Sequence, residues 1–359
     1  MYLKSISLSQ FRNYQTQAFA FAPCGSLIIG PNGSGKTNLL EAIAYCGIGK
    51  SIRLHHDEQL LSFNATTFSI AAEFEQDLGL DLSVSFNYCN KKKLLKLDSV
   101  PIRHLSDLFN SVKVIYCAPE DLQLINGSPR VRRQYFDMAI SQLYPEYISI
   151  LRNYLHIVEQ RNSLLKTQYL ASEKRSWDLR FIEACMEVVK YREKYLKLLN
   201  EYFQKDYLHF SSKVFNTGIR YLSANKAMVE HSVNAEGYLS LLQSLEAREK
   251  LYQRSLVGAH IDDYEFVLDD NTLRIYGSQG QKRIVVILLK LIQATLVEQV
   301  TGIKPILLFD DIFAELDIEN TTNIHRFIDK RYQVLIASPN ASITEIWDSI
   351  PTQYLENNV

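Results

Sequence analysis

One eight-residue run constrains this chain more than any other feature. Gly30-Pro31-Asn32-Gly33-Ser34-Gly35-Lys36-Thr37 fits the phosphate-loop pattern G-x-x-x-x-G-K-[ST] and stands between an apolar strand, Ser26 to Ile29, and a helical pattern that opens from Asn38 to Tyr45. In that setting the glycines let successive backbone N–H groups face phosphate oxygens, and the helix N-terminus adds partial positive charge. Lys36 reaches the β- and γ-phosphates and Thr37 offers a hydroxyl to Mg2+. A Gly-rich loop without function is the alternative, and the placement between strand and helix argues against it.

Far along the chain, Ile306-Leu307-Leu308-Phe309-Asp310-Asp311 reads as a core strand ending in two acids. Beside a phosphate loop, Asp310 is placed to hold the Mg2+ shell and Asp311 to polarise an attacking water. Alone, the same stretch is a strand end followed by a solvated turn. Gly277-Ser278-Gln279-Gly280-Gln281 lies ahead of a mostly apolar helical pattern from Gln281 to Val300. On those residues alone it is a helix cap with Ser278 as cap residue, although the geometry also offers a hydroxyl and free N–H groups to an anion.

The rest of the chain alternates in character. Leu80, Leu82, Val84, Phe86 and Tyr88 alternate as a half-buried strand, and Val112 to Cys117 is a second apolar strand closed by Pro119. Two amphipathic helices follow, marked by Ile148 to Leu165 and Trp177 to Tyr202, with a turn expected at Ala171 to Arg175. A hairpin is expected from Glu265 to Leu268 and Thr272 to Tyr276 around Asp270-Asn271. Ile318 to Asp329 is then a helix and Gln333 to Ala337 a core strand. Strands alternating with helices argue an α/β sheet.

Charge excludes one easy route to function. The 359 residues carry 39 Lys+Arg against 40 Asp+Glu, a net charge of −1, so any nucleic-acid contact must come from local clusters. Lys50 with Arg53, Lys91-Lys92-Lys93 with Lys96, and Arg130, Arg132 and Arg133 are the candidates. The lysine run equally suits a solvated hairpin tip, and the arginines can instead brace the fold through carboxylates such as Asp137. No secretory signal is visible, and the apolar run Ile284 to Leu289 stops at Lys290, short of the ~20 residues that cross a bilayer. The five cysteines are scattered without a C-x-x-C pair, which reads as buried thiols of a cytoplasmic protein with no membrane partner.

Taken together, these motifs resemble the ATP-binding-cassette class of ATPases, and within it the RecF family, over essentially the whole chain. The phosphate loop followed by Asn38-Leu39-Leu40-Glu41-Ala42-Ile43 and Gly49-Lys50-Ser51 is similar to that family's. So is Pro119-Glu120-Asp121-Leu122 with Gly127-Ser128-Pro129 and Arg132-Arg133-Gln134-Tyr135-Phe136-Asp137. Ser278-Gln279-Gly280-Gln281 resembles the cassette signature, and Ala314-Glu315-Leu316-Asp317 the loop after the paired acids. The resemblance implies an α/β cassette-type core with an antiparallel β-subdomain, placed at 1–118 and 300–359, and a mainly α-helical lobe at 119–299 that includes the signature.

It further implies ATP with Mg2+ at Thr37 and Asp310, sandwiched in a homodimer in which Ser278 of one subunit completes the γ-phosphate site formed by Lys36, Thr37 and Asp310 of the other, with Gln279, Gly280, Gln281 and Asp317 also binding the nucleotide. The implied role is ATP-dependent binding to duplex DNA and to single-strand junctions at gaps, acting with RecO and RecR to load RecA in recombinational repair, replication and SOS induction. Asp311 stands where many cassette ATPases have Glu, which implies slow turnover. Ser338 falls where transporters place a switch His, and Gly258 to Asp263 resembles a family run with Ala259 and Ile261 in place of Pro and Arg. A transporter-type ATPase subunit and an SMC-like chromosome-bridging head are the alternatives; the helices are too short for SMC arms.

Overall fold

The alternating residues Leu82, Val84, Phe86 and Tyr88 bury one face of a strand in a computed structural model that describes residues 1–53, 56–76, 79–207, 216–223, 235–328 and 331–356. Leu80 lies just before that strand and is exposed. Contacts divide the chain into two units, one of residues 1–121 with 283–359 and one centred on 122–207 and 216–282. The sequence reading set the second boundary at 299/300. The helix Gln279–Thr301 accounts for the difference, because from Ile284 onward most of it is buried and Lys290 reaches the carbonyl of Tyr116 and the carboxylate of Asp121, both in the first unit.

The first unit holds two sheets. One is antiparallel and six-stranded in the order β2-β1-β4-β5-β6-β7, built from β1 (Tyr2–Phe11), β2 (Tyr14–Ala20), β4 (Thr67–Glu75), β5 (Asp81–Cys89), β6 (Lys92–Leu97) and β7 (Val100–Pro101). The other is parallel, ordered β14-β3-β13-β12-β8, from β3 (Gly25–Ile29), β8 (Val114–Cys117), β12 (Ile306–Asp310), β13 (Val334–Ser338) and β14 (Thr352–Tyr354). β3, β12 and β13 are buried at every residue, the signature of parallel strands covered on both faces. Only β13 separates β3 from β12, so the loop after Ile29 and the acids after Phe309 emerge at the same sheet edge.

The helix Gln279–Thr301 has the length and apolar composition of a membrane span, contrary to the short run read from sequence, and 78% of its apolar window is buried within the protein. A core helix passes the same test. Of the five cysteines, Cys46, Cys117 and Cys185 are buried; Cys24 and Cys89 are exposed, against expectation.

The second unit carries the helices Pro129–Leu143, Tyr147–Leu164, Ala171–Asp206 and Ala235–Tyr252 and a small sheet of β9 (Thr217–Leu222), β10 (Asp263–Leu268) and β11 (Asn271–Thr272). The two amphipathic helices pair as expected, but the turn between them precedes Ala171. Lys174, expected in the turn, is helical and bonds Asp178 one turn on, at 2.7 Å. The hairpin also differs: its turn is Asp269-Asp270, both at positive φ, and Leu273–Tyr276 is a helical turn because Leu273 drops into the core. The helix expected to end at Asp329 is described as Ile318–Ile328, and Asp329 lies outside the described residues.

Buried charge organises this unit. Arg161, fully buried, donates to Asp178 Oδ1 at 2.8 Å and to Glu249 Oε2 at 2.5 Å, while Lys174 takes the other oxygen of Asp178. Arg192, also buried, grips Asp137 and the carbonyl of Ala259. The run Gly258 to Asp263 is therefore a packing hub. Gly258 has φ 125, and a Cβ there would sit 2.6 Å from the Tyr154 hydroxyl, so only glycine fits. His260 Nδ1 lies 2.7 Å from that hydroxyl, and burial lowers its pKa to about 4.

A pH dependence follows from His260. The unfolded chain takes up a proton near pH 6.5 and the folded one only near pH 4, so stability is fully present above about 6.5 and is lost as pH falls through that window, at up to ~1.4 kcal/mol per pH unit. His260→Gln is expected to flatten part of the drop in melting temperature between pH 7 and pH 5. An unchanged drop would show that other groups set it.

Candidate functional site

The loop Gly30 to Thr37 runs from the end of β3 into the helix Lys36–Ile48. Gly35 adopts φ 101, and a Cβ would lie 2.6 Å from the Asn13 amide and 2.7 Å from the Tyr14 hydroxyl; that hydroxyl donates to the Gly35 carbonyl at 3.0 Å. Lys36, only 4% exposed, folds its ammonium back onto the carbonyls of Gly30 and Pro31 at 2.8 and 2.9 Å. The loop is fixed from below. The Gly30 N–H donates to the Ser338 carbonyl on β13 at 3.4 Å, and the Ser338 hydroxyl donates to the carbonyl of Asn340 at 3.1 Å.

Across the sheet edge, Thr37 donates its hydroxyl to Asp310 Oδ1 at 3.0 Å. Two residues 273 positions apart in sequence thus meet at the mouth of the loop. Burial pushes the Asp310 carboxyl up, and hydrogen bonds from Tyr116 and Thr37 act the other way by favouring its charged form. Asp311, next along, adopts φ 51; burial raises its pKa while Lys36 lowers it. Asp311 Oδ1 and Ser34 Oγ are buried with no hydrogen-bond partner among the described residues. Unspent buried polar atoms of this kind mark a place where a ligand completes the bonding.

The donor set fits a phosphate with a hard divalent cation. Thr37 and Asp310 present paired oxygens, the ligand type Mg2+ takes, and Ser34, Lys36 and the loop N–H groups suit phosphate oxygens. The structure brings together Gly30, Pro31, Asn32, Gly33, Ser34, Gly35, Lys36, Thr37, Asp310 and Asp311 in the first unit.

Ser278, Gln279, Gly280 and Gln281 belong to the second unit. There Ser278 Oγ accepts the Gln281 N–H at 3.2 Å and the Gln281 side chain accepts the Ser278 N–H at 2.8 Å, a reciprocal capping box. Ser278, Gln279 and Gly280 are exposed. Asp317, exposed in the first unit, caps the helix Ile318–Ile328 by accepting from the Asn320 N–H at 2.7 Å.

The basic candidates separate by burial. Lys50 and Arg53, just past the C-cap Gly49, are exposed. Arg132 corrects the sequence reading: its side chain is 5% exposed and forks onto Asp263 at 2.7 and 2.9 Å, so it braces the fold and is withdrawn from DNA contact. Asp137, suggested as its partner, is taken by Arg192. Arg133, half-buried, donates to the Asp262 carbonyl at 2.8 Å. Lys93 is likewise committed, to Asp57 and the carbonyl of Gly49. Tyr116, on Asp310, was not singled out from sequence. Its position on an apolar strand carries no signal of its role.

Comparison with known proteins decides the family. The model of the RecF/RecN/SMC N-terminal domain matches residues 2–358. A DNA replication and repair protein RecF of Streptococcus gordonii is 34% identical over 340 residues, 94% of this chain and 93% of that one. The chain belongs to the RecF family. Its counterpart in Clostridium perfringens is 31% identical over 360 residues, covering 100% of this chain and 96% of the relative. A solved structure of the recombination mediator protein RecF with ATP, described within the RecFOR pathway, superposes with a TM-score of 0.86 at 28% identity, over 95% of this chain and 92% of that one. An Smc head domain shares the fold alone, with a TM-score of 0.52 at 17% identity over 96% of this chain and 92% of that one. The α/β cassette-type core with its antiparallel subdomain and helical lobe is thus the RecF fold.

Proposed function

We propose that this RecF-family chain is an ATP-operated switch of DNA repair and replication. ATP with Mg2+ binds at Gly30 to Thr37 and Asp310, and two subunits then close on it, with Ser278, Gln279, Gly280, Gln281 and Asp317 of one completing the site of the other. The observation that carries this reading is the Thr37–Asp310 bridge at the mouth of the loop; Ser278, Gln279 and Gly280 are exposed at the start of a helix, where a second subunit's nucleotide can reach them. The ATP-bound RecF structure supports the choice of nucleotide.

Bound Mg2+ supplies charge neutralisation at the transferring phosphate. Lys36 orients the nucleotide, and Asp311 accepts a proton from the attacking water; its short side chain makes hydrolysis slow. Because only ATP carries the γ-phosphate that joins two subunits, ATP favours the dimer and ADP releases it. The output is association with duplex DNA and gap junctions, through exposed residues such as Lys50 and Arg53 and with Arg133 at the margin. There the chain acts with RecO and RecR to load RecA and support the SOS response in the cytoplasm.

The experiment measures anisotropy of a labelled gapped duplex, light scattering and phosphate release, with ATP, ADP or no nucleotide, for wild type and Ser278→Arg. ATP alone is expected to promote dimerisation and DNA binding with slow phosphate release. Ser278→Arg should bind ATP yet stay monomeric, at least tenfold weaker on DNA. DNA binding indifferent to nucleotide, or a monomer with ATP, would sink the reading.

A further inference from the structure

The carboxylate of Asp310 is held at both oxygens. Thr37 donates to Oδ1 at 3.0 Å, and Tyr116 donates to Oδ2 at 2.7 Å from the neighbouring strand β8. β8 and β12 run parallel with Tyr116 opposite Leu308, so the phenol reaches along the strand to the acid two residues on. A carboxylate bonded through one oxygen turns about its terminal torsion, which is broad; a second donor removes that freedom.

Tyr116 is itself anchored. Its carbonyl accepts from Lys290 Nζ at 2.9 Å, Lys290 pairs with Asp121 Oδ1 at 2.8 Å, and Asp121 Oδ2 accepts the Ala118 N–H at 2.9 Å. Lys290 lies on the helix Gln279–Thr301, three turns beyond the Ser278 capping box. The strand bearing the phenol is therefore tied to the part of this helix that lies in the same unit.

We propose that Tyr116 is a positioning residue for the divalent cation that accompanies ATP: its hydroxyl fixes Asp310 in the orientation that presents the carboxylate beside Thr37. The proposal rests on the ATP-binding reading above. Groups that orient a metal's partners from behind typically change metal affinity by about 10–100-fold when removed. Phenylalanine keeps the ring and its burial and deletes only the donor.

The test uses the full chain and a fluorescent ATP analogue, titrated first in chelator and then with increasing Mg2+, for wild type and Tyr116→Phe. The expected result is unchanged nucleotide binding in chelator and a Mg2+ midpoint about tenfold or more higher in the variant. A Mg2+ midpoint within twofold of wild type overturns the positioning role. So does an equal loss of binding with and without Mg2+, which would mark Tyr116 as merely structural. A wild type that binds no nucleotide under either condition overturns the ATP reading instead.

Discussion

Lys36→Ala is expected to weaken ATP binding by at least ~100-fold while leaving the melting temperature nearly unchanged. The Lys36 ammonium is the only side-chain cation in the loop Gly30 to Thr37, and its bonds go to the loop's own carbonyls of Gly30 and Pro31 at 2.8 and 2.9 Å. Those partners are exchangeable: phosphate oxygens can replace them without moving the helix Lys36–Ile48. Each charge-assisted bond to phosphate contributes about 1.5–3 kcal/mol, and two of them correspond to roughly two to four orders of magnitude in affinity. Stability moves little because deleting the side chain also removes a buried charge, which offsets the lost bonds. Fluorescent-nucleotide titration and a thermal melt check both halves; a loss under tenfold would show that the loop N–H groups alone hold the nucleotide. Lys36→Arg is expected to fail as well, since a planar fork does not replace a compact ammonium in a glycine-walled loop.

That site was legible in sequence because its parts are local patterns. The spacing of Gly30, Gly35, Lys36 and Thr37 is dictated by backbone geometry around an anion, and an apolar strand ending in Asp310-Asp311 announces itself over six residues. Tyr116 was not legible. Its role is created by the register of β8 against β12, residues 194 positions apart meeting at 2.7 Å, and a tyrosine on a core strand looks the same whether its hydroxyl meets an acid or a void. Arg132 shows the reverse error, since basic residues in sequence give charge but not partners, and Asp263 lies 131 positions from Arg132. Element types were read well where periodicity was long, as in the helices Tyr147–Leu164 and Ala171–Asp206. They failed at Leu273–Tyr276, where one buried side chain decided between strand and helix.

The largest stability effect is expected at Arg161, which no local pattern distinguished. Four ionised groups, Arg161, Lys174, Asp178 and Glu249, lie together with side chains no more than 5% exposed, and the charges balance. Arg161 bonds two of the others, Asp178 and Glu249, and also the Ser255 hydroxyl at 2.7 Å. Glu249 Oε1 also accepts the Leu256 N–H at 3.0 Å, so the network fixes the approach to Gly258. Arg161→Met leaves two buried carboxylates facing one ammonium, a change that typically costs about 3–5 kcal/mol. It should appear as an early transition in denaturant, reported by the buried tyrosines of the helical unit, while nucleotide binding to the separate loop persists below that transition. Arg161→Met combined with Glu249→Leu removes one charge of each sign and leaves Lys174 paired with Asp178. The double variant is therefore expected to be more stable than Arg161→Met alone, because an apolar pair of similar volume replaces an ion pair with little net loss, whereas a lone buried charge has no such compensation. A single variant within ~1 kcal/mol of wild type, or a double variant less stable than the single, would mean that water already reaches this cluster and screens it.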